Sequence, residues 1–283
     1  GRTEQSMIMT GLRGVGKTVL LNRFAELAEM AGWESIELEA SKHDETAFRQ
    51  SIFSKFRAAL LHISPRRRWS ERARHAAEVL TSFVLSIDQS GTFSVTWDVD
   101  PSEGYGDHGD LGLDLTDVFL AVGEVAKEKG TGIVLLIDEV QFLTTVQLES
   151  LIQAVHKSVQ KKLPITFVGA GLPQIAELAG DAKSYAERLF KFPRIDSLTP
   201  EEARQALVGP AETENVSYDE DAVDLAVSLT HGYPYFIQEL GYQAWIVASG
   251  NHITAEDIST AKDAYEAKLD GSFFRVRLDR ATP

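Results

Sequence analysis

Residues 10–18 read TGLRGVGKT, set between the apolar run MIM (7–9) and a second apolar run, VLL (19–21). Gly11, Gly16, Lys17 and Thr18 fit the spacing G-x-x-x-x-G-K-[ST]. The flanks supply the context this spacing needs. Ser6–Thr10 reads as a short buried strand. Lys17–Ala31 reads as a helix with Leu20, Phe24 and Leu27 on one face, closed by Gly32. A phosphate fits only where several backbone N–H groups converge without side chains in the way, so Gly11, Gly14 and Gly16 keep the turn open. The helix starting near Lys17 adds unpaired N–H groups and the positive end of its dipole. Lys17 brings a full charge to the outer phosphates, and the Thr18 hydroxyl suits Mg²⁺. The expected binding stretch is Gly11, Leu12, Arg13, Gly14, Val15, Gly16, Lys17, Thr18 and Val19.

About 120 residues on, IVLLIDEVQFL (133–143) runs apolar into Asp138-Glu139. An apolar strand buried on both faces would place Asp138 at its carboxyl edge, where open α/β sheets bind ligands. Asp138 would hold Mg²⁺, through water or with Thr18. Glu139 would polarise a water for attack on the terminal phosphate. An acidic pair merely capping the next helix is the bland alternative, and the matched loop upstream argues against it.

Alternation of strands and helices continues along the first two thirds of the chain. SIELEA (35–40) alternates as a half-buried strand. Helices are expected at 44–62, 70–83, 115–129 and 145–160, and strands at 133–138, 165–169 and, from FPRI, 192–195. VLSI (84–87) and FSVTWDV suggest a hairpin, with Phe93, Val95, Trp97 and Val99 on one face. Residues 84–113 are read as an insertion projecting from the core. The alternation implies a mostly parallel sheet covered by helices. After about residue 197 strands stop, and helices are expected at 200–208, 219–230, 235–248 and 255–269. Thr254 and Asp257 form a capping pair before the last. The domain reading is therefore 1–196, an α/β nucleotide-binding domain, and 197–283, a small helical subdomain.

Bulk composition agrees with a globular chain: 43% hydrophobic and 25% charged residues, no cysteine, and no apolar run near the ~20 residues of a membrane span. Lack of cysteine excludes disulfides and thiolate metal sites, and it fits a cytoplasmic protein. The net charge of −14 is opposite to that of proteins that wrap nucleic acid. Residues 196–270 carry 15 acidic residues against Arg204, Lys262 and Lys268, whereas residues 41–75 are basic, with SPRRRWSERARH the densest part. Both ends read as cut, so a longer protein with a further C-terminal domain is expected.

The chain resembles the P-loop ATPases of the AAA+/STAND type, close to prokaryotic Orc1/Cdc6-like ATPases. The resemblance rests on TGLRGVGKTVLL, LLIDEVQFL, FVGAGLP, ERLFKFPRIDSLTPEEA and HGYPYFIQELGYQAW, spanning residues 6–270. It implies a P-loop NTPase fold, a three-layer αβα arrangement with a parallel sheet, followed by a small helical lid. It also implies ATP or ADP with Mg²⁺ as ligands; no guanine-reading N/T-K-x-D motif is evident, and the residues alone leave adenine against guanine open. The expected function is Mg²⁺-dependent ATP binding with slow hydrolysis, serving as a molecular switch. The alternative is a nucleotide-loaded regulatory or DNA-associated initiator-like module whose hydrolysis is incidental. Its protein or DNA partner would be reached through regions outside this chain. Membrane association is not expected, and a nucleotide-dependent homo-oligomer is one option.

Two departures underlie the slow turnover. AAA+ ATPases usually end the fourth core strand on a polar residue, whereas here the strand ends Gly169-Ala170-Gly171, with Thr166 the nearby polar candidate. Where the lid usually carries a sensing arginine, Gly232-Tyr233-Pro234 stands instead. This resembles the STAND G-x-P, in which Tyr233 and Pro234 would lie near the nucleotide. Arg188, in YAERLFKF, corresponds to an arginine that reaches a neighbouring subunit's nucleotide in AAA+ rings, or it is a surface residue paired with Glu187 or Asp181.

Overall fold

The computed structural model describes residues 5–40, 44–86 and 99–274. It has two compact units: residues 1–11 with 17–194, and residues 195–283 together with the loop tip Leu12–Gly16.

The first unit is built on a parallel sheet of β1 (Met7–Thr10), β2 (Glu34–Glu39), β3 (Ile133–Asp138) and β4 (Ile165–Gly171), in the order β1-β4-β3-β2. Residues 191–194 add two isolated parallel bridges along the edge of β1, Met7 to Lys191 and Thr10 to Arg194, in place of the full strand expected at 192–195. β3 is apolar from Ile133 to Ile137 and buried throughout, as a strand covered on both faces must be. Its register sets Asp138 opposite Glu39 and Ile137 opposite Gly169. All strands run one way, so their carboxyl ends lie along one edge of the sheet. Thr10, Asp138 and Gly171 are the last residues of β1, β3 and β4.

Helices α1 (Lys17–Met30), α2 (Glu45–Ile63), α3 (Glu71–Leu85), α4 (Leu111–Lys129) and α5 (Thr145–Gln160) flank the sheet, with α6 (Ile175–Ala182) and α7 (Ala186–Leu189) after β4. α1 buries Leu21 and Ala25, whereas Leu20 and Leu27 are exposed. The expected Leu20–Phe24–Leu27 face is therefore turned by one position. Both stripes are apolar, and packing on the sheet selects the one that carries Leu21 and Ala25. α2 and α4 meet through Phe56 and Phe119, rings 5.2 Å apart. They also meet through an ion pair without solvent exposure, Arg49 Nη1 to Asp114 Oδ2 at 2.9 Å. Arg49 donates further to Glu45, the Phe83 carbonyl and Ser86 Oγ.

The segment expected to project is helical at both ends, since Val84 and Leu85 close α3 and residues 111–113 open α4. Its described middle is laid against α3: the Ser82 hydroxyl donates to the Ser102 carbonyl at 2.8 Å, and Val99 packs on the core. The hairpin residues Phe93, Val95 and Trp97 lie outside the described residues.

The second unit contains α8 (Pro200–Thr213), α9 (Glu220–Thr230), α10 (Pro234–Val247) and α11 (Ala255–Lys268) around Leu207, Ala226, Ile237, Leu240, Ile258 and Tyr265. Strands do not wholly stop after residue 197. β5 (Ser217–Tyr218) and β6 (His252–Ile253) pair in parallel, two residues each, too short for a periodicity to announce them. Two helices begin with full capping boxes, Thr199 with Glu202 and Thr254 with Asp257, the latter as expected. Pro234 starts α10 at its first position, where a missing N–H costs nothing. Burial pushes the Tyr265 hydroxyl up to about 12, so it stays neutral in this core.

Candidate functional site

The site starts where β1 ends. The Gly11 N–H donates to the Gly171 carbonyl at 3.2 Å, tying the loop's first residue to the end of β4. Lys17 opens α1 and is 7% exposed, and its ammonium donates to the Gly11 carbonyl at 2.9 Å. A buried lysine at a helix start, folded back onto its own loop, is positioned for an anion seated there. Thr18 Oγ1 donates to Asp138 Oδ2 at 2.5 Å, bringing together two residues 120 positions apart. Val19 points outward at 70% exposure, which leaves only its backbone for binding.

The loop tip belongs to the helical unit by its contacts. Gly14 and Gly16 have φ of +88° and +91°, a backbone that side-chain-bearing residues rarely adopt. Val15 is buried, Leu12 is exposed and Arg13 is half-buried. The Tyr233 hydroxyl donates to the Arg13 carbonyl, and the Tyr235 N–H donates to the Gly14 carbonyl at 3.1 Å. Tyr233, Tyr235 and Phe236 pack around Phe273, with the Tyr235 and Phe273 rings stacked at 5.2 Å. These rings form a cluster of their own, and Pro234 is half-buried beside them.

At the end of β3, Asp138 uses both carboxylate oxygens. Oδ2 accepts from Thr18, and Oδ1 accepts the Glu139 N–H at 2.8 Å. Glu139 itself stands in the left-handed region, φ 53° and ψ 38°, then a single 3₁₀ turn leads towards α5. Glu139 is therefore not a helix-capping residue of α5. Thr144 fills that role, boxed with Gln147.

Sequence reasoning passed over Gln141. Its Nε2 donates to Glu139 Oε2 and its Oε1 accepts the Leu172 N–H at 3.0 Å, so it bridges the acidic pair to the residue after β4. The available signal was a lone amide inside the apolar turn VQFL. Thr166 does not occupy this place; it pairs with Val134 near the start of β4. The missing polar strand end has a steric cause. A Cβ at Gly169 would lie 3.0 Å from Val140 Cγ2, and one at Gly171 would lie 2.9 Å from Gln141 Oε1. Arg188 is exposed on α7, and its carbonyl accepts from Gln5 at 2.9 Å. The structure does not join Arg188 to Lys17, Thr18 or Asp138 by any hydrogen bond among the described residues.

The donor set fits Mg²⁺. A hydroxyl and a carboxylate meet at the strand edge, and a hard cation that keeps several waters and takes phosphate oxygens needs few protein ligands. Among the described residues no three His, Cys, Asp or Glu side chains cluster as a protein-only metal cage. No helix there is long and apolar enough to cross a membrane.

Strand, glycine loop, lysine at a helix start and an acidic strand end define a P-loop nucleotide-binding protein. The family model described as "AAA domain" matches residues 1–177, and the chain belongs to that family. Solved structures share the fold. Cdc6p from Pyrobaculum aerophilum is 16% identical with a TM-score of 0.53, covering 92% of this chain and 60% of its own. The RuvB Holliday junction branch migration motor of Thermotoga maritima is 14% identical at 0.54, covering 93% and 63%. The Walker-type ATPase of Pyrococcus abyssi is 16% identical at 0.55, covering 98% and 71%. The chain thus spans less than two thirds of the length of the first two. No curated protein matches it by sequence. Membership of the AAA domain family supports nucleotide binding and ATPase activity in general.

Proposed function

We propose that this chain is a Mg²⁺-dependent ATP-binding switch of the STAND type that hydrolyses ATP slowly. The observation that carries the reading is the Thr18–Asp138 contact at 2.5 Å, which joins the loop helix to the acidic strand end. Lys17 and the amides of residues 11–19 hold the phosphates, and Thr18 and Asp138 hold the metal. A bound Mg²⁺ supplies charge neutralisation at the phosphate oxygens. Glu139 accepts a proton from the attacking water as general base. Tyr233 and Pro234 belong to the helical unit, which would act as the lid. ATP and ADP would then be distinguished through that unit, in the manner of nucleotide switches. Arg188 is exposed and so available to a second copy in a nucleotide-dependent oligomer. Protein or DNA partners of the whole protein would engage regions outside these residues.

The test is Glu139→Gln. It removes the base and keeps the shape, so ATP affinity stays near wild type while turnover falls by ~100-fold or more. Turnover unchanged in that variant refutes the assignment of Glu139. Tight ATP or ADP retention with negligible wild-type turnover favours the reading in which hydrolysis is incidental.

A further inference from the structure

We infer that Gln141 is the positioning residue for the general base, taking the place that the glycine-ended β4 leaves empty. The inference rests on the reading of Glu139 as base. The orientation of the amide follows from chemistry. The Leu172 N–H can only donate, so the oxygen of Gln141 must face it at 3.0 Å, and the NH₂ then faces the Glu139 carboxylate. An amide donor there pins one of the Glu139 carboxylate oxygens and leaves the other for water. The pin is needed, because Glu139 sits alone in a left-handed backbone conformation that does not by itself hold a long side chain in one direction.

Gly171 is the second, independent sign. Its φ is not positive, so backbone freedom does not explain the glycine. A Cβ at that position would instead press on Gln141 Oε1 at 2.9 Å, the tip of a flexible side chain. The end of β4 thus carries no polar side chain but makes room for one delivered from the opposite turn. Because the Gly11 N–H donates to the Gly171 carbonyl, β4, the loop and the base share one chain of hydrogen bonds.

Three variants test this, each compared with Glu139→Gln and read by steady-state ATP turnover and by nucleotide affinity. Gln141→Ala is expected to lower kcat ~10–100-fold with KM and nucleotide affinity nearly unchanged, the size usual for orienting partners. Gly171→Ala, which displaces the amide without touching the backbone path, should give the same kcat-only defect. The double variant should be no worse than either alone, because both remove one contact. Wild-type kcat in Gln141→Ala, with Glu139→Gln inactive, overturns the role of Gln141 alone. Additive losses in the double variant, or lost nucleotide affinity, reduce Gln141 to a packing residue and overturn it too. Full turnover in Glu139→Gln removes the base itself and the positioning role with it.

Discussion

Asp114→Ala should destabilise the first unit strongly without touching the nucleotide site. Arg49 and Asp114 have no solvent exposure, and their charged atoms are 2.9 Å apart. At an effective dielectric near 20, attraction at that separation is about 6 kcal/mol, offset largely by the cost of taking two ions out of water. Removing the carboxylate loses the attraction and leaves the guanidinium's own desolvation cost uncompensated. The His108 N–H, which donates to Asp114 Oδ1 at 2.8 Å, also loses its acceptor. Glu45, the Phe83 carbonyl and Ser86 still accept from Arg49, so the loss belongs near the lower end of the range for broken buried pairs, about 3 kcal/mol. Urea unfolding followed by circular dichroism measures it as a fall in the midpoint at constant slope. The double change Arg49→Met with Asp114→Leu should recover most of the loss, because apolar side chains carry no ionic desolvation. A loss under about 1 kcal/mol in the single variant, or a double variant no better than it, refutes the reasoning.

The helical unit should respond to acid through its caps. Thr199 and Thr254 backbone N–H groups, then their hydroxyls, hold the Glu202 and Asp257 carboxyls below their ordinary values. Depressed carboxyls contribute stability that is complete above the unfolded-state values and is lost as pH falls through the folded ones. Unfolding midpoints should therefore hold steady above about pH 5 and drop below about pH 4. A midpoint that rises on acidification contradicts this sign. Thr254→Ala removes the α11 cap and should cost ~1 kcal/mol at neutral pH, measured by the same urea titration. It should also shrink the acid response.

Much of the fold was readable because its signals are local. The loop at 10–18, the apolar β3 and the helix periodicities each lie within a few residues of one another, and the structure keeps their order. What escaped depended on contacts between distant segments. α1 offers two apolar stripes, and only the sheet decides that Leu21 and Ala25 go inward. β5 and β6 are two residues each and exist because residues 217–218 and 252–253 meet. The candidate site divides the same way. Thr18 and Asp138 were legible as a pair because both belong to motifs. Gln141 was not, since its meaning lies in Gly171 and Leu172, thirty residues on. The glycines at the end of β4 read as an absence in the sequence, while in three dimensions they are the space that another side chain fills.

The carboxylate of Asp138 faces two donors at once, the Thr18 hydroxyl on one oxygen and the Glu139 N–H on the other. An asparagine there keeps the shape but has one acceptor oxygen for two donors, so either the Glu139 N–H loses its acceptor or the Thr18 hydroxyl must turn from donor to acceptor. If the oxygen stays with Thr18, the left-handed backbone at Glu139 loses its anchor. If it stays with Glu139, the threonine hydroxyl must accept from the NH₂ group, which occupies a lone pair that a cation would use. Either way, an inactive Asp138→Asn protein would not by itself report on metal binding. The residue is a bracket as well as a ligand candidate, and its two duties cannot be separated by substitution at that position alone.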